Sequence, residues 1–179
     1  MQKAVCRFAI ILVVSLFVQG QTHYPDSFHM EEPIRSPAKI PTAVFRQILR
    51  SDDNLLRVDE TVLHFKSRIS GTLIDLNSDK RPDFLVQGND GANITGFWLF
   101  RNIKGRQQLV LYTTGLALDL LRHKHNGLRD IEAVCATAVT LSSAIYRFNG
   151  QKYRAHTCWS EDMGKDPGKR PKNFYRCSQ

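Results

Sequence analysis

Apolar and polar residues alternate in short runs along most of the chain, and Gly, Asn and Asp break the runs at intervals. This period of two predicts strands over residues 71–75, 83–87, 96–101, 107–112, 128–134, 142–148 and 151–158. Residues 61–69 are a further strand candidate, with poorer alternation of Val62, His64, Lys66 and Arg68 against Leu63, Phe65 and Ser67. Residues 116–122 read either way, because Leu116, Leu118 and Leu120 alternate while the composition favours helix. One helical period is present: Thr42 can cap a helix over residues 43–50 that carries Val44, Phe45, Ile48 and Leu49 on one face. The chain is therefore expected to be mainly β (α+β), made of antiparallel meanders resembling propeller blades, with a short N-terminal helix.

Asn149-Gly150, between Ile145–Phe148 and Lys152–Arg154, is the strongest hairpin signal. A two-residue loop there places Tyr146 opposite Tyr153 and Leu141 opposite Cys158. Sliding the chain against itself aligns Pro82–Val86 with Arg129–Ala133 and brings Phe97–Arg101 near Ala144–Arg147. A period near 46 residues suits propeller blades, but two units are too few to close a ring of four or more. The expected outcomes are an open sheet packed on the helix, or an assembly of copies.

Residues 1–20 read as a targeting segment. Lys3 and Arg7 precede an eleven-residue apolar run from Phe8 to Val18, and Val18-Gln-Gly20 offers a cleavage site before Gln21. The run is too short for a stable membrane anchor. The expected location is secreted or periplasmic. Residues 21–41, with Pro25, Pro33, Pro37 and Pro41, read as an extended leader and not a packed element. Residues 42–159 read as a single β-rich domain and residues 160–179 as a basic tail. Cleavage leaves 159 residues, enough for one domain with a core. It also lowers the formal net charge from +8 to about +6. The positive charge is scattered apart from the cluster Lys165 to Arg176, so it carries no specific nucleic-acid signal.

Three cysteines remain in the processed chain, and export favours oxidation of one pair. In the expected hairpin, Cys135 lies beyond the roughly 7 Å between Cα atoms that a disulfide tolerates from Cys158. Cys158–Cys177 is the expected bridge, with Cys135 free.

The most specific chemistry lies in Asp75-Leu-Asn77-Ser-Asp79-Lys-Arg81-Pro-Asp83, where oxygen-bearing side chains recur at alternate positions between two apolar runs. A loop of that spacing can fold oxygens around one hard cation. With Phe84-Leu-Val86 after it, the stretch resembles the repeat of integrin-type FG-GAP and related bacterial VCBS modules, and small exported bacterial proteins that bear one such loop. The resemblance covers about a dozen residues, with looser similarity over residues 96–101 and 126–159. It implies bound Ca²⁺, with Asp75, Asn77, Asp79 and Asp83 giving side-chain oxygens and Arg81 its carbonyl. It implies no activity. The family has Gly after the third ligand, where φ is positive; here Lys80 stands there.

His123-x-His125, near Asp119 and Asp130, is a weaker constellation, since alternate strand residues share a face. Cys135 lies in an apolar strand-like run that hides a thiol. No serine elbow, phosphate-cradling glycine loop or paired-carboxylate spacing appears. Asn93-Ile-Thr95 is a sequon relevant only to a eukaryotic secretory pathway. The expected function is a non-catalytic exported binding module for a protein or glycan ligand. The alternative is a small exported hydrolase using His123, His125 and Asp130. A cleft converging on those three residues would favour the enzyme, whereas a flat face or sheet edge would favour binding.

Overall fold

The computed structural model describes residues 24–30, 32–51, 66–89, 95–164, 173–175 and 177. The targeting segment, the sequon Asn93 and most of the basic tail lie outside these residues.

Eleven strands and one helix are described: β1 (Ser27–His29), β2 (Pro37–Ala38), α1 (Thr42–Ser51), β3 (Ile69–Ile74), β4 (Asp83–Asn89), β5 (Thr95–Ile103), β6 (Arg106–Gly115), β7 (Ala117–His125), β8 (Leu128–Ala136), β9 (Thr140–Phe148), β10 (Tyr153–Asp162) and β11 (Asn173–Tyr175). They form two antiparallel sheets, ordered β2-β3-β4-β5-β6 and β1-β7-β8-β9-β10-β11. The fold is mainly β, as the alternation predicts. Of the residues 116–122 that read either way, 117–122 are strand, because Leu118 and Leu120 alternate into the core, and Leu116 is the bend that precedes them. Of the candidate over residues 61–69, only Ile69 among its described residues joins a strand.

Strands β3–β6 and β7–β10 are two successive four-stranded meanders with matching register. In the first, Phe84 pairs with Phe100 and Phe100 with Leu109; in the second, Ile131 pairs with Tyr146 and Tyr146 with Ala155. A bulge follows at the same point in each, at Val110 in β6 and at His156 in β10. The meanders stack in the same sense. Phe84 and Phe100 face α1 in a cluster with Val44, Ile48 and Trp98, while Ile131 and Tyr146 face the first meander. On the opposite side of the first meander, Leu85, Leu99 and Leu111 fill the shared core. Their counterparts in the second are Glu132, Ile145 and Thr157, each half-buried. A helix thus covers one face of the stack, and polar substitution at Glu132 and Thr157 finishes the other.

The helix forms where the apolar period of residues 43–50 predicts it. Burial of Val44 and Ile48 one turn apart contributes about 1.5–3 kcal/mol each. Gln47 also guards a sheet edge. Its side-chain amide donates to the Gln107 carbonyl at 2.7 Å and accepts from Leu109 N–H at 3.1 Å, covering part of β6.

Two expectations are corrected. The segment read as an unpacked leader contributes β1, whose Phe28 is buried in the shared core, and β2, which pairs with β3. Its prolines leave room for short edge strands, and one aromatic side chain suffices to anchor them. The β9–β10 turn is centred on Gly150-Gln151 and not on Asn149-Gly150. Asn149 pairs with Lys152, its Oδ1 accepts from Gln151 and Lys152 N–H at 3.0 Å, and Gly150 takes φ +104°. Phe148 consequently faces Tyr153, and Tyr146 faces Ala155. A shift of the turn by one residue moves the register by two, so side chains before the His156 bulge keep their face; the bulge adds one more, and Cys158 stands opposite Ala144 and not Leu141.

Candidate functional site

The β3–β4, β5–β6, β7–β8 and β9–β10 turns gather at one end of the stack. Arg129 N–H donates to the Leu76 carbonyl at 2.7 Å, and Lys124 Nζ to the Asn77 carbonyl at 2.6 Å, so the loop of the second meander is seated on that of the first.

The Asp75–Asp83 loop closes on itself. Asp75 Oδ1 accepts from Ser78 N–H at 2.6 Å, Asn77 Oδ1 from Asp79 N–H at 3.0 Å, and Asp79 Oδ1 from Arg81 N–H at 2.7 Å. Ser78 and Lys80 both adopt left-handed backbone, at φ +63° and +64°. Lys80 thus takes the conformation that glycine supplies in the FG-GAP-type loop. Asp83 is turned inward, 2% exposed, its oxygens accepting from Leu76 N–H at 3.0 Å and Asn102 N–H at 2.7 Å. Burial raises the Asp83 pKa; the two backbone hydrogen bonds oppose that rise, and the charges of Asp79 and Asp75 add to it. Among the described residues no three His, Cys, Asp or Glu side chains gather as a metal site requires. For calcium, the surface donors are therefore Asp75, Asn77, Asp79 and the Arg81 carbonyl. That set fits a weakly held, largely hydrated ion and not a closed cage.

His123 and His125 do not share an unbroken strand face. The register of β7 against β8 is interrupted between Leu120 and Lys124, and Arg129 fills the gap. Its guanidinium donates to the carbonyls of Leu121, at 2.8 Å, and Leu120, and pairs with Asp26 at 2.5 Å. His123 is exposed, whereas His125 Nδ1 lies 2.6 Å from Asp130 Oδ1. Arg147 Nε stands 3.5 Å from the other oxygen of Asp130, which is 2% exposed. The pair acts as a cover over a buried carboxylate. Nearby, Tyr153 donates to the Arg129 carbonyl at 2.7 Å; its pKa is raised by burial and then by the charges of Asp83 and Asp130.

Cys158 and Cys177 are bonded, with Cα atoms 5.4 Å apart, which ties β11 to β10 as the strand geometry leads one to expect. Cys135 is free and half-buried, its thiol 3.4 Å from the Thr114 carbonyl and its pKa pushed up by burial.

Sequence reasoning passed over the feature that dominates the turn end. Residues 95–115 and 140–160 contain Arg101, Lys104, Arg106, Arg147, Lys152 and Arg154, and no Asp or Glu. Lys104, Arg106, Lys152 and Arg154 are exposed, and none of them pairs with a carboxylate among the described residues. A groove of about 450 Å³ runs between the β6 edge at Leu109–Tyr112 and the start of β10 at Lys152–Ala155, with Tyr146 in its wall. A second groove of about 420 Å³ lies between α1 and β2–β3, lined by Ile40, Phe45 and Ile69 with Lys39 and Lys66. Both follow sheet edges. The sequence signal was available as a run free of acids, but whole-chain charge hides it.

No family model, curated protein or solved structure matches the chain. The calcium-loop resemblance rests on residues 75–86, with the looser similarity over residues 96–101 and 126–159.

Proposed function

We propose that the chain is an exported, non-catalytic binding module that holds its ligand at the turn end. The observation that carries this reading is a set of cations without a carboxylate partner among the described residues: Lys152 and Arg154 in the wall of a groove at a sheet edge, and Lys104 and Arg106 at the turn from which β6 starts. The Cys158–Cys177 bridge supports an oxidising compartment. No described helix is long and apolar enough to cross a membrane. The hydrolase alternative is weaker, because His125 and Asp130 are spent on each other and on Arg147. The Asp75–Asp83 loop has a secondary, stabilising part as a weak calcium site, supported by the mutual repulsion of Asp75, Asp79 and Asp83.

Sedimentation with cell-envelope material tests the reading. Lys104→Glu with Lys152→Glu should lower retention about tenfold, whereas His125→Ala should leave it unchanged. Release of a soluble product from the envelope, lost in His125→Ala, would establish the hydrolase instead.

A further inference from the structure

We infer that the groove between β6 and β9–β10 takes an acidic polysaccharide, an extended glycan bearing carboxylate or sulfate groups. This deepens the binding-module reading and rests on it.

The charge is the first support. Residues 95–115 and 140–160 of the two hairpins that wall the groove carry six Lys or Arg residues and no carboxylate, and Glu161 and Asp162 lie at the far end of β10 from the turn. Lys152 and Arg154 line the groove itself, and Lys104 and Arg106 lie at the turn from which β6 starts. Cations in a concave wall focus a positive potential that attracts an anionic chain. A folded protein commonly offsets such charge with neighbouring acids. Here the acids of the same end are occupied, with Asp75 and Asp79 capping their own loop and Asp83 and Asp130 buried.

Shape and ring placement select the ligand class. The groove is a concave site between the β6 edge and the start of β10, which suits an extended chain better than a flat membrane surface. Three tyrosines border it, yet Tyr153 is buried and Tyr146 is half-buried with its hydroxyl 3.0 Å from Thr113 Oγ1. Tyr112, which also lines the groove, is 42% exposed, and its ring stacks on Trp98 at 5.0 Å between centroids on the face of the sheet that carries α1. A single-stranded nucleic acid needs several exposed rings for successive bases. One supported ring, with hydroxyl and cationic donors beside it, suits the C–H face and hydroxyls of a sugar.

The probe is an oligogalacturonate titrated into the processed, disulfide-intact protein, followed by calorimetry at two salt concentrations. A neutral galactan of equal length, poly-glutamate, single-stranded DNA and anionic vesicles are the comparison arms. The inference expects the oligogalacturonate to bind most tightly and to weaken about tenfold between 50 and 200 mM salt, as for a few neutralised charges. Lys104→Glu with Lys152→Glu should abolish that binding without lowering the melting temperature. Tyr112→Ser should weaken it several-fold with the salt dependence retained. Equal binding of the neutral galactan, tighter binding of any other polyanion, or indifference to the double charge reversal would overturn it. Envelope retention that persists, charge-dependent, while the oligogalacturonate fails to compete would remove the glycan assignment and leave the binding-module reading standing.

Discussion

Asp83 and Asp130 stand at corresponding points of the two meanders, one residue before the matched pair Phe84 and Ile131, and each is 2% exposed. Asp83 faces the core between the meanders, where Leu76 and Asn102 N–H groups hold it. Asp130 faces the finished side of the stack, where His125 and Arg147 cover it. One position is thus buried by a neighbouring layer in the first meander and by side chains in the second.

The pH dependence of stability follows from Asp83. Burial raises its folded-state pKa above the ordinary aspartate value of 3.8, so the folded state binds more protons across that window. Its contribution is fully present below the unfolded value and is lost as pH rises through the folded one. Asp83→Asn removes that dependence, and it leaves one of the two N–H donors facing an amide N–H₂, at a cost of about 1–3 kcal/mol. Urea denaturation between pH 7 and pH 4 should show the gap between parent and variant widening on acidification. A gap that narrows would contradict the assignment.

The strands and the helix were legible because their periods are set by burial, and burial here follows simple alternation. Trp98 and Phe97 point to opposite faces, both covered, which is why β5 reads as a continuous apolar run. The turn at Gly150 was misplaced by one residue because Asn149 uses its side chain to cap the turn and leaves the positive φ to Gly150 alone. The packing of Phe28 was not legible, since β1 draws its stability from β7, far along the chain. The disulfide was legible in part: strand geometry set aside Cys135–Cys158 and favoured the Cys158–Cys177 bridge that forms, without fixing the pairing. The cationic turn end was not legible, because its Lys and Arg residues come from two separate hairpins.

Gln47 tests the guarding of the β6 edge. Gln47→Ala strips the partners from Gln107 C=O and Leu109 N–H and should cost about 1–2 kcal/mol. Amide exchange at Leu109 should accelerate in the same variant while the β4 amides stay protected. Unchanged exchange at Leu109 would show that the amide contact does not guard the edge.

Sulfur chemistry is the next check. Opening Cys158–Cys177, which spans 19 positions, should cost about 3 kcal/mol on the chain-entropy model. Cys135 should alkylate at least about tenfold more slowly in the native state than in denaturant, because burial raises its pKa and restricts access. Peptide mapping that links Cys135 to either other cysteine would contradict the strand order.

Calcium at ten times its dissociation constant should stabilise the protein by about 1.4 kcal/mol. The melting temperature should rise by about 3–5 °C. Asp79→Ala should abolish the response, and Lys80→Gly should strengthen it by relieving the backbone at φ +64° and removing a repelling charge. Coincident melting curves in calcium and in chelator, for parent and Lys80→Gly alike, would reduce the loop to a hydrogen-bonded turn.

The location of ligand binding decides most directly between a binding module working at its turn end and an enzyme built on His125 and Asp130. Backbone amide shifts recorded during titration with oligogalacturonate would report it. The predicted result is a set of perturbations confined to residues 104–112 and 150–155, the groove walls at Leu109–Tyr112 and Lys152–Ala155 with the turns that lead into them. Perturbations centred on His123, His125 and Asp130, with the groove silent, would contradict it.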